Sequence, residues 1–280
     1  MKYPRQLKAL EDAIHSKGLL LPLDVLLVGA TGVGKSSTIN ALFGNNVAKV
    51  GEGTDPETQV IAQYKISDYF RIHDSAGLGD SIVNDKRHSR NIIDILTKTV
   101  SVGGDTSIPY GYIDLVTVIL DGGSRDLGTS YKLLQDIILP VLDPKRVTVL
   151  INQADMAMKG RYWNVEKNQP EVELINFLNE KVESTRRRIK EATGVDTEPI
   201  YYAAGYKDGD SQQNPYNLSK LLVHILRHTK KEKRAVFMQD INKKDEMWEK
   251  DDKLEDYQKE IKKSFMESLV ESASKGATQG

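Results

Sequence analysis

Residues Gly29-Ala30-Thr31-Gly32-Val33-Gly34-Lys35-Ser36 read G-x-x-x-x-G-K-S. The pattern restricts the fold because the loop must leave a strand and open a helix. Its glycines let the chain curl through Thr31, Gly32, Val33 and Gly34 into a nest of inward-pointing N–H groups. Lys35 adds a point charge for the outer phosphates of a nucleotide, and the Ser36 hydroxyl is a ligand for Mg²⁺. The following helix aims its positive end at the same phosphates. The flanks fit. Asp24-Val25-Leu26-Leu27-Val28 is an apolar run of buried-strand type. Ile39, Leu42 and Phe43 then share one helical face before Gly44, a helix stop. The competing reading is a glycine turn that binds nothing.

Further on, apolar strands alternate with amphipathic helices. Gln59 to Ile66 and Tyr69 to His73 form a hairpin around Ser67-Asp68. A helix is expected over 84–100, a loop over 101–112, and a strand over 113–120. Next come a helix within 127–140, a strand over 146–151, a polar excursion over 156–170 and a helix from Pro170. A strand over 199–203 and a helix over 218–226 close the series. This order predicts an α/β P-loop fold: a three-layer αβα sandwich on a mostly parallel six-stranded sheet with one antiparallel edge strand. Binding belongs at the carboxyl ends of its strands.

The expected organisation is an N-terminal helix over 1–20, a nucleotide-binding domain over 21–230, a charged amphipathic helix over 231–272, and a disordered tail over 273–280. In the tail, Met247, Leu254 and Ile261 are seven apart. Three readings of that helix stay open: packing on the protein's own body, association with a partner, or membrane-surface binding.

Composition narrows the classes. The net charge of −1 gives no sign of a large polyanion footprint, and binding to nucleic acid or the ribosome is left open. Without cysteine there is no disulfide framework and no thiolate metal site. The N-terminus lacks a signal-peptide core, and no apolar run reaches a membrane span, so a cytoplasmic protein is expected. His224 and His228 are four apart, but no zincin pattern surrounds them, and a solvated or packed helix face is the better reading.

Two more loops follow apolar strands. Asp74-Ser75-Ala76-Gly77 supplies an acid that can hold Mg²⁺ through water and a glycine N–H that can approach a γ-phosphate. Asn152-Gln153-Ala154-Asp155 offers a carboxylate that can accept the two N–H groups of guanine's edge. Adenine has no such donor pair, so Asp155 is expected to select GTP over ATP. Asn152 is placed to tie this loop to the phosphate loop.

The ordered set G-A-T-G-V-G-K-S, D-S-A-G and N-Q-A-D resembles the translation-factor-related GTPases. Gly34-Lys35-Ser36-Ser37-Thr38-Ile39-Asn40-Ala41-Leu42-Phe43-Gly44 is especially similar to their Era-like branch. Asn-Gln-x-Asp with Trp163 nearby is similar to small bacterial members labelled YfjP-like or ribosome-binding-GTPase-like. The likeness spans about residues 22–228. It implies that Gly29, Gly34, Lys35 and Ser36 hold phosphates and Mg²⁺, with Ser37 near the α-phosphate. Thr58, with Thr54 as rival, would be the mobile threonine closing on Mg²⁺ and γ-phosphate, and Asp74 and Gly77 would sense that phosphate. Lys35, Thr58 and Gly77 are thereby the expected catalytic positions. Asn152 and Asp155 would read guanine, and Ala203-Ala204-Gly205 would support it through an Ala N–H. Loops 45–58 and 75–90 would be the switches, gating an effector or a second copy together with the C-terminal helix.

The chain departs from the family pattern in places. Gln153 replaces a lysine, weakening contact over the base plane, and Ala203 replaces a serine. Leu78 stands where Ras-type enzymes carry a water-orienting glutamine, so slow hydrolysis is expected. Gly32 replaces the asparagine of potassium-activated relatives. Arg125 is either an arginine finger or a loop-bracing residue, the latter favoured.

Overall fold

The computed structural model describes residues 5–44, 61–75, 82–100, 110–124, 128–205 and 214–278. The elements, in chain order, are α1 (Arg5–Ser16), β1 (Leu23–Val28), α2 (Lys35–Phe43), β2 (Ile61–Ser67), β3 (Phe70–Ser75), α3 (Ile82–Thr97), β4 (Thr99–Val100) and β5 (Tyr110–Gly111). They continue with β6 (Leu115–Asp121), α4 (Gly128–Leu133), β7 (Val147–Asn152), β8 (Trp163–Asn164), β9 (Gln169–Pro170), α5 (Val172–Thr193), β10 (Ile200–Tyr201), α6 (Leu218–His228), α7 (Val236–Asp240) and α8 (Tyr257–Thr278). Beyond α4 the chain widens into a π-helical turn over Leu134–Ile138.

Six strands form one sheet in the order β10-β7-β6-β1-β3-β2. Every pairing is parallel except β2 with β3. The expected six-stranded sheet with one antiparallel edge is therefore present. Alternation along β1 builds both cores. Leu23, Val25 and Leu27 pack in a cluster with α1, α2, α6, α7 and α8. Leu26 and Val28 pack in another with α3, α4 and α5. β1 lies between β3 and β6, so the chain leaves it toward opposite sides of the sheet, the topological switch point of such folds.

Asp24 departs from the apolar pattern of β1 because it locks the neighbouring strand. Its buried carboxylate accepts from Arg71 Nε at 2.8 Å, Arg71 Nη2 at 2.7 Å and His73 Nε2 at 2.7 Å. A buried carboxylate needs such partners. The lock fixes the register in which Asp74 stands beside Leu27, one residue before the end of β1.

The C-terminal region corrects the expected helix over 231–272. Residues 231–256 form short turns and the brief α7, and the long helix begins only at Tyr257. The seven-residue spacing is not a helix face. Met247 is buried in a 3₁₀ turn, whereas Leu254 is 75% exposed. The helix also continues to Thr278, beyond the expected end at 272 and into the segment expected to be disordered. Of the three readings of this region, packing on the protein's own body is the one seen: Tyr257, Ile261, Phe265 and Leu269 share a core with β1, α2 and α6. Asn242 ties the same region to α2. Its N–H donates to Leu42 O at 2.7 Å and its Nδ2 to Ala41 O at 3.2 Å, satisfying carbonyls at the end of that helix.

Smaller differences are local. The polar excursion after residue 155 contains the β8–β9 hairpin. The last strand shortens to Ile200–Tyr201, with Ala203 bridging Tyr216. α3 ends at Thr97, and β4 pairs with β5 across the expected loop. His224 lies on a packed face and is buried. Among the described residues no helix is long and apolar enough to cross a membrane.

Candidate nucleotide site

The loop after β1 has the required backbone. Gly32 and Gly34 adopt φ of 82° and 89°, the left-handed region where glycine is at ease. A Cβ on Gly29 would lie 2.5 Å from Ile119 O, and one on Gly34 would collide with Asn152 Nδ2. Thr31 and Gly32 are exposed, Val33 is buried, and α2 begins at Lys35. Lys35 folds back, donating from Nζ to Gly29 O at 3.1 Å and Ala30 O at 3.3 Å. Ser36 is exposed and Ser37 half-buried on the first turn of α2.

Asp74 stands one residue before the end of β3. Burial pushes its carboxyl up to about 6, against the pull of the Lys35 charge. Burial likewise lowers Lys35, and Asp74 opposes that shift. Among the described residues, Asp74 Oδ1 is a buried acceptor with no hydrogen-bond partner. An orphaned carboxylate oxygen near the lysine of a glycine nest is the donor chemistry that Mg²⁺ or its water requires. The residues present thus fit the metal.

The base-side loop is joined to the phosphate side. Asn152 Nδ2 donates to Val33 O at 2.9 Å, and Asn152 Oδ1 accepts from Ala204 N at 3.1 Å. The Asn152 carbonyl accepts from Gly122 N at 2.7 Å. Asn152 therefore holds three loops at the ends of β1, β6 and β10. Gln153, with φ of 60°, donates from Nε2 to Gly32 O at 2.8 Å. Gln153, expected only to weaken contact over the base plane, thus braces the phosphate loop. Asp155 is half-buried in the following 3₁₀ turn.

Ala203 and Ala204 are buried at the end of the β10 segment, beside this loop. Their N–H groups donate to Tyr216 O at 3.1 Å and Asn152 Oδ1 at 3.1 Å. The expected Ala N–H for guanine is thus already engaged by protein at both positions. Thr54, Thr58, Gly77, Leu78 and Arg125 lie outside the described residues, as does the whole of 45–58. The structure consequently joins Gly29, Lys35, Asp74, Asn152 and Gln153 around one loop, with Asp155 on the turn that follows. Sequence reasoning missed Gly122, where a Cβ would sit 2.5 Å from Asn152 O. The adjacent glycines at 122–123 after an apolar strand were its only signal.

A glycine nest at the switch point of a mostly parallel sheet, with a lysine inside and an acid on the next strand, defines a P-loop nucleotide-binding protein. Residues 24–177, more than half of the chain, match the 50S ribosome-binding GTPase family. The chain belongs to that family. The match supports the broad translation-factor-related class and does not single out one branch of it. The tRNA modification GTPase MnmE of Sulfurovum sp. (strain NBC37-1) is 27% identical over 157 residues, covering 55% of this chain and 31% of that relative. The chain thus spans under a third of that relative's length. Among solved structures, a probable GTP-binding protein engB is 21% identical with a TM-score of 0.41, covering 73% of this chain and 97% of its own. Toc33 from Arabidopsis thaliana, in complex with GDP and Mg²⁺, is 16% identical with a TM-score of 0.45, covering 75% and 82%.

Proposed function

We propose that this chain is a guanine-nucleotide switch of the Era-like kind whose GTP state is Mg²⁺-dependent and whose turnover is slow. The observation supporting it most is the double tie between base loop and phosphate loop, Asn152 to Val33 and Gln153 to Gly32. These bonds hold a guanine-reading carboxylate and a phosphate cradle in fixed relation, as one nucleotide spanning both would require.

In this reading the nest of Gly29 and residues 31–34, with Lys35 and Ser37, orients the phosphates. Ser36, Asp74 and Thr58 hold Mg²⁺, which when bound neutralises charge on the outer phosphate oxygens. Water attacks the γ-phosphate in line, and Lys35, Thr58 and Gly77 contribute charge and position. Leu78 cannot polarise that water, which is why turnover is slow without an activator or a second copy. Loops 45–58 and 75–90 tighten on GTP and relax on GDP, gating an effector or self-association in the cytoplasm. The packed face of α8 leaves only its outer face for a partner. Ribosome and nucleic acid remain candidate partners that no residue here selects.

Asp155→Asn tests the base assignment. An amide exchanges one acceptor for a donor, so it favours xanthine, whose 2-oxo group accepts where guanine donates. The variant should lose GTP affinity on the order of 100-fold and gain affinity for XTP. Unchanged GTP preference would reject Asp155 as the reader. Leu78 also favours a second reading, a GTP-regulated binding module with negligible turnover. Single-turnover hydrolysis separates the two: bound GTP that releases no phosphate over hours supports the module.

A further inference from the structure

Tyr202 and Thr38 are both buried, and Thr38 joins Tyr202 to the phosphate loop. Tyr202 has 0% exposure and Thr38 2%. Thr38 Oγ1 lies 2.7 Å from Gly34 O and 2.6 Å from the Tyr202 hydroxyl. The proton order follows from chemistry. A carbonyl only accepts, so Thr38 spends its single proton on Gly34 O. The Tyr202 hydroxyl must then donate to Thr38. Burial pushes that hydroxyl well above its ordinary range, which keeps it a donor.

The relay ends on a peptide that matters. Gly34 O also accepts from Thr38 N at 2.9 Å. In a planar trans peptide the Gly34 carbonyl and the Lys35 N–H point in opposite directions. Bonds that hold and polarise Gly34 O therefore orient the Lys35 N–H on the other side of the peptide and strengthen it as a donor. At its far end, Tyr202 belongs to the base side. Its N–H donates to Ile151 O at 2.9 Å, its carbonyl accepts from Ala154 N at 3.1 Å, and Ala203-Ala204 follow it directly.

We propose that Tyr202 is a positioning residue that, through Thr38, orients the Gly34–Lys35 peptide of the phosphate loop and couples it to the base-reading loops. The proposal rests on the guanine-nucleotide reading above. It names a connection separate from the Asn152 and Gln153 ties, because it approaches the phosphate loop through the buried side of α2.

The test measures GDP and GMP affinity of the full chain by calorimetry, with Tyr202→Phe, Thr38→Val and Thr38→Ser. Phenylalanine fills nearly the same volume, so the core is kept. Tyr202→Phe and Thr38→Val should each weaken GDP binding about three- to tenfold, the size of one lost hydrogen bond. The loss should be smaller for GMP, which reaches less far into the nest. Thr38→Ser, which keeps the hydroxyl, should bind GDP as wild type does. In the double variant the losses should not add, since both break one relay. A lower melting temperature with unchanged GDP affinity would make the relay merely structural and overturn the proposal. So would equal losses for GDP and GMP, or additive losses. A wild-type chain that binds no guanine nucleotide would overturn the underlying reading, and the relay with it. Wild-type binding that Tyr202→Phe leaves intact would overturn the relay alone.

Discussion

Gly34 shows how much one residue carries here. Its φ of 89° excludes most side chains, and the space a Cβ would take is filled by the Asn152 amide. Gly34→Ala must strain the backbone, by about 1–3 kcal/mol, and push Asn152 off Val33 O. We expect GDP affinity to fall on the order of 100-fold while circular dichroism reports an intact fold. Asn152→Ala should also weaken GDP, by about tenfold or more, since it leaves Val33 O and Ala204 N without their partner. Wild-type affinity in either variant would contradict the role given to the Asn152 junction. The convergence of the glycines, Lys35 and Asp74 was legible in the sequence because the pattern G-x-x-x-x-G-K-S demands a strand before it and a helix after it, and Asp74 stands at the end of a neighbouring apolar strand. The Gln153–Gly32 and Tyr202–Thr38 bonds were not, because their partners lie 121 and 164 residues apart in the chain.

At the scale of elements, the strands and the flanking helices were readable because apolar runs and helical spacing reflect burial directly. The C-terminal region was misread for a physical reason. Met247, Leu254 and Ile261 suggest a heptad, but turns over 245–253 place Met247 inward and Leu254 outward. Single-sequence spacing cannot register that break. Two variants separate the readings. Phe265→Ala, at a fully buried site of α8, should cost about 3–5 kcal/mol in chemical denaturation. Leu254→Ala should stay within about 0.5 kcal/mol of wild type. Truncation after residue 230 removes Asn242 from the end of α2 and Phe237, Ile261 and Phe265 from the core. That fragment should aggregate or lose its cooperative transition. A truncated chain that melts like the whole protein would show the tail to be an appendage.

For the whole molecule, buried titratable groups away from the site set opposing pH trends. Burial lowers His224 from 6.5 to about 3, with His228, Arg227 and Lys220 adding to the shift. The unfolded chain then binds more protons below pH 6.5, so this contribution is full above 6.5 and is lost as pH falls toward 3. Burial raises Glu11 from 4.5 to about 7, helped by Asp12 and Asp240 and opposed by Lys243. Here the folded chain binds more protons, so the contribution is present below pH 4.5 and lost as pH rises to 7. Glu11→Gln should flatten the decline between pH 4.5 and 7, and His224→Leu the decline on the acid side, both read from urea midpoints. Matching profiles for wild type and variant would refute the corresponding assignment.

In the proposed reading one nucleotide touches the nest after β1, the acid on β3 and the loop after β7. Equilibrium titration of the purified chain with GTP and with ATP, each with Mg²⁺ and with Mg²⁺ chelated, tests this most directly. One GTP should bind per chain, with affinity that drops when Mg²⁺ is removed, and ATP should bind more weakly on the order of 100-fold. Equal affinity for GTP and ATP, or GTP binding indifferent to Mg²⁺, would contradict it.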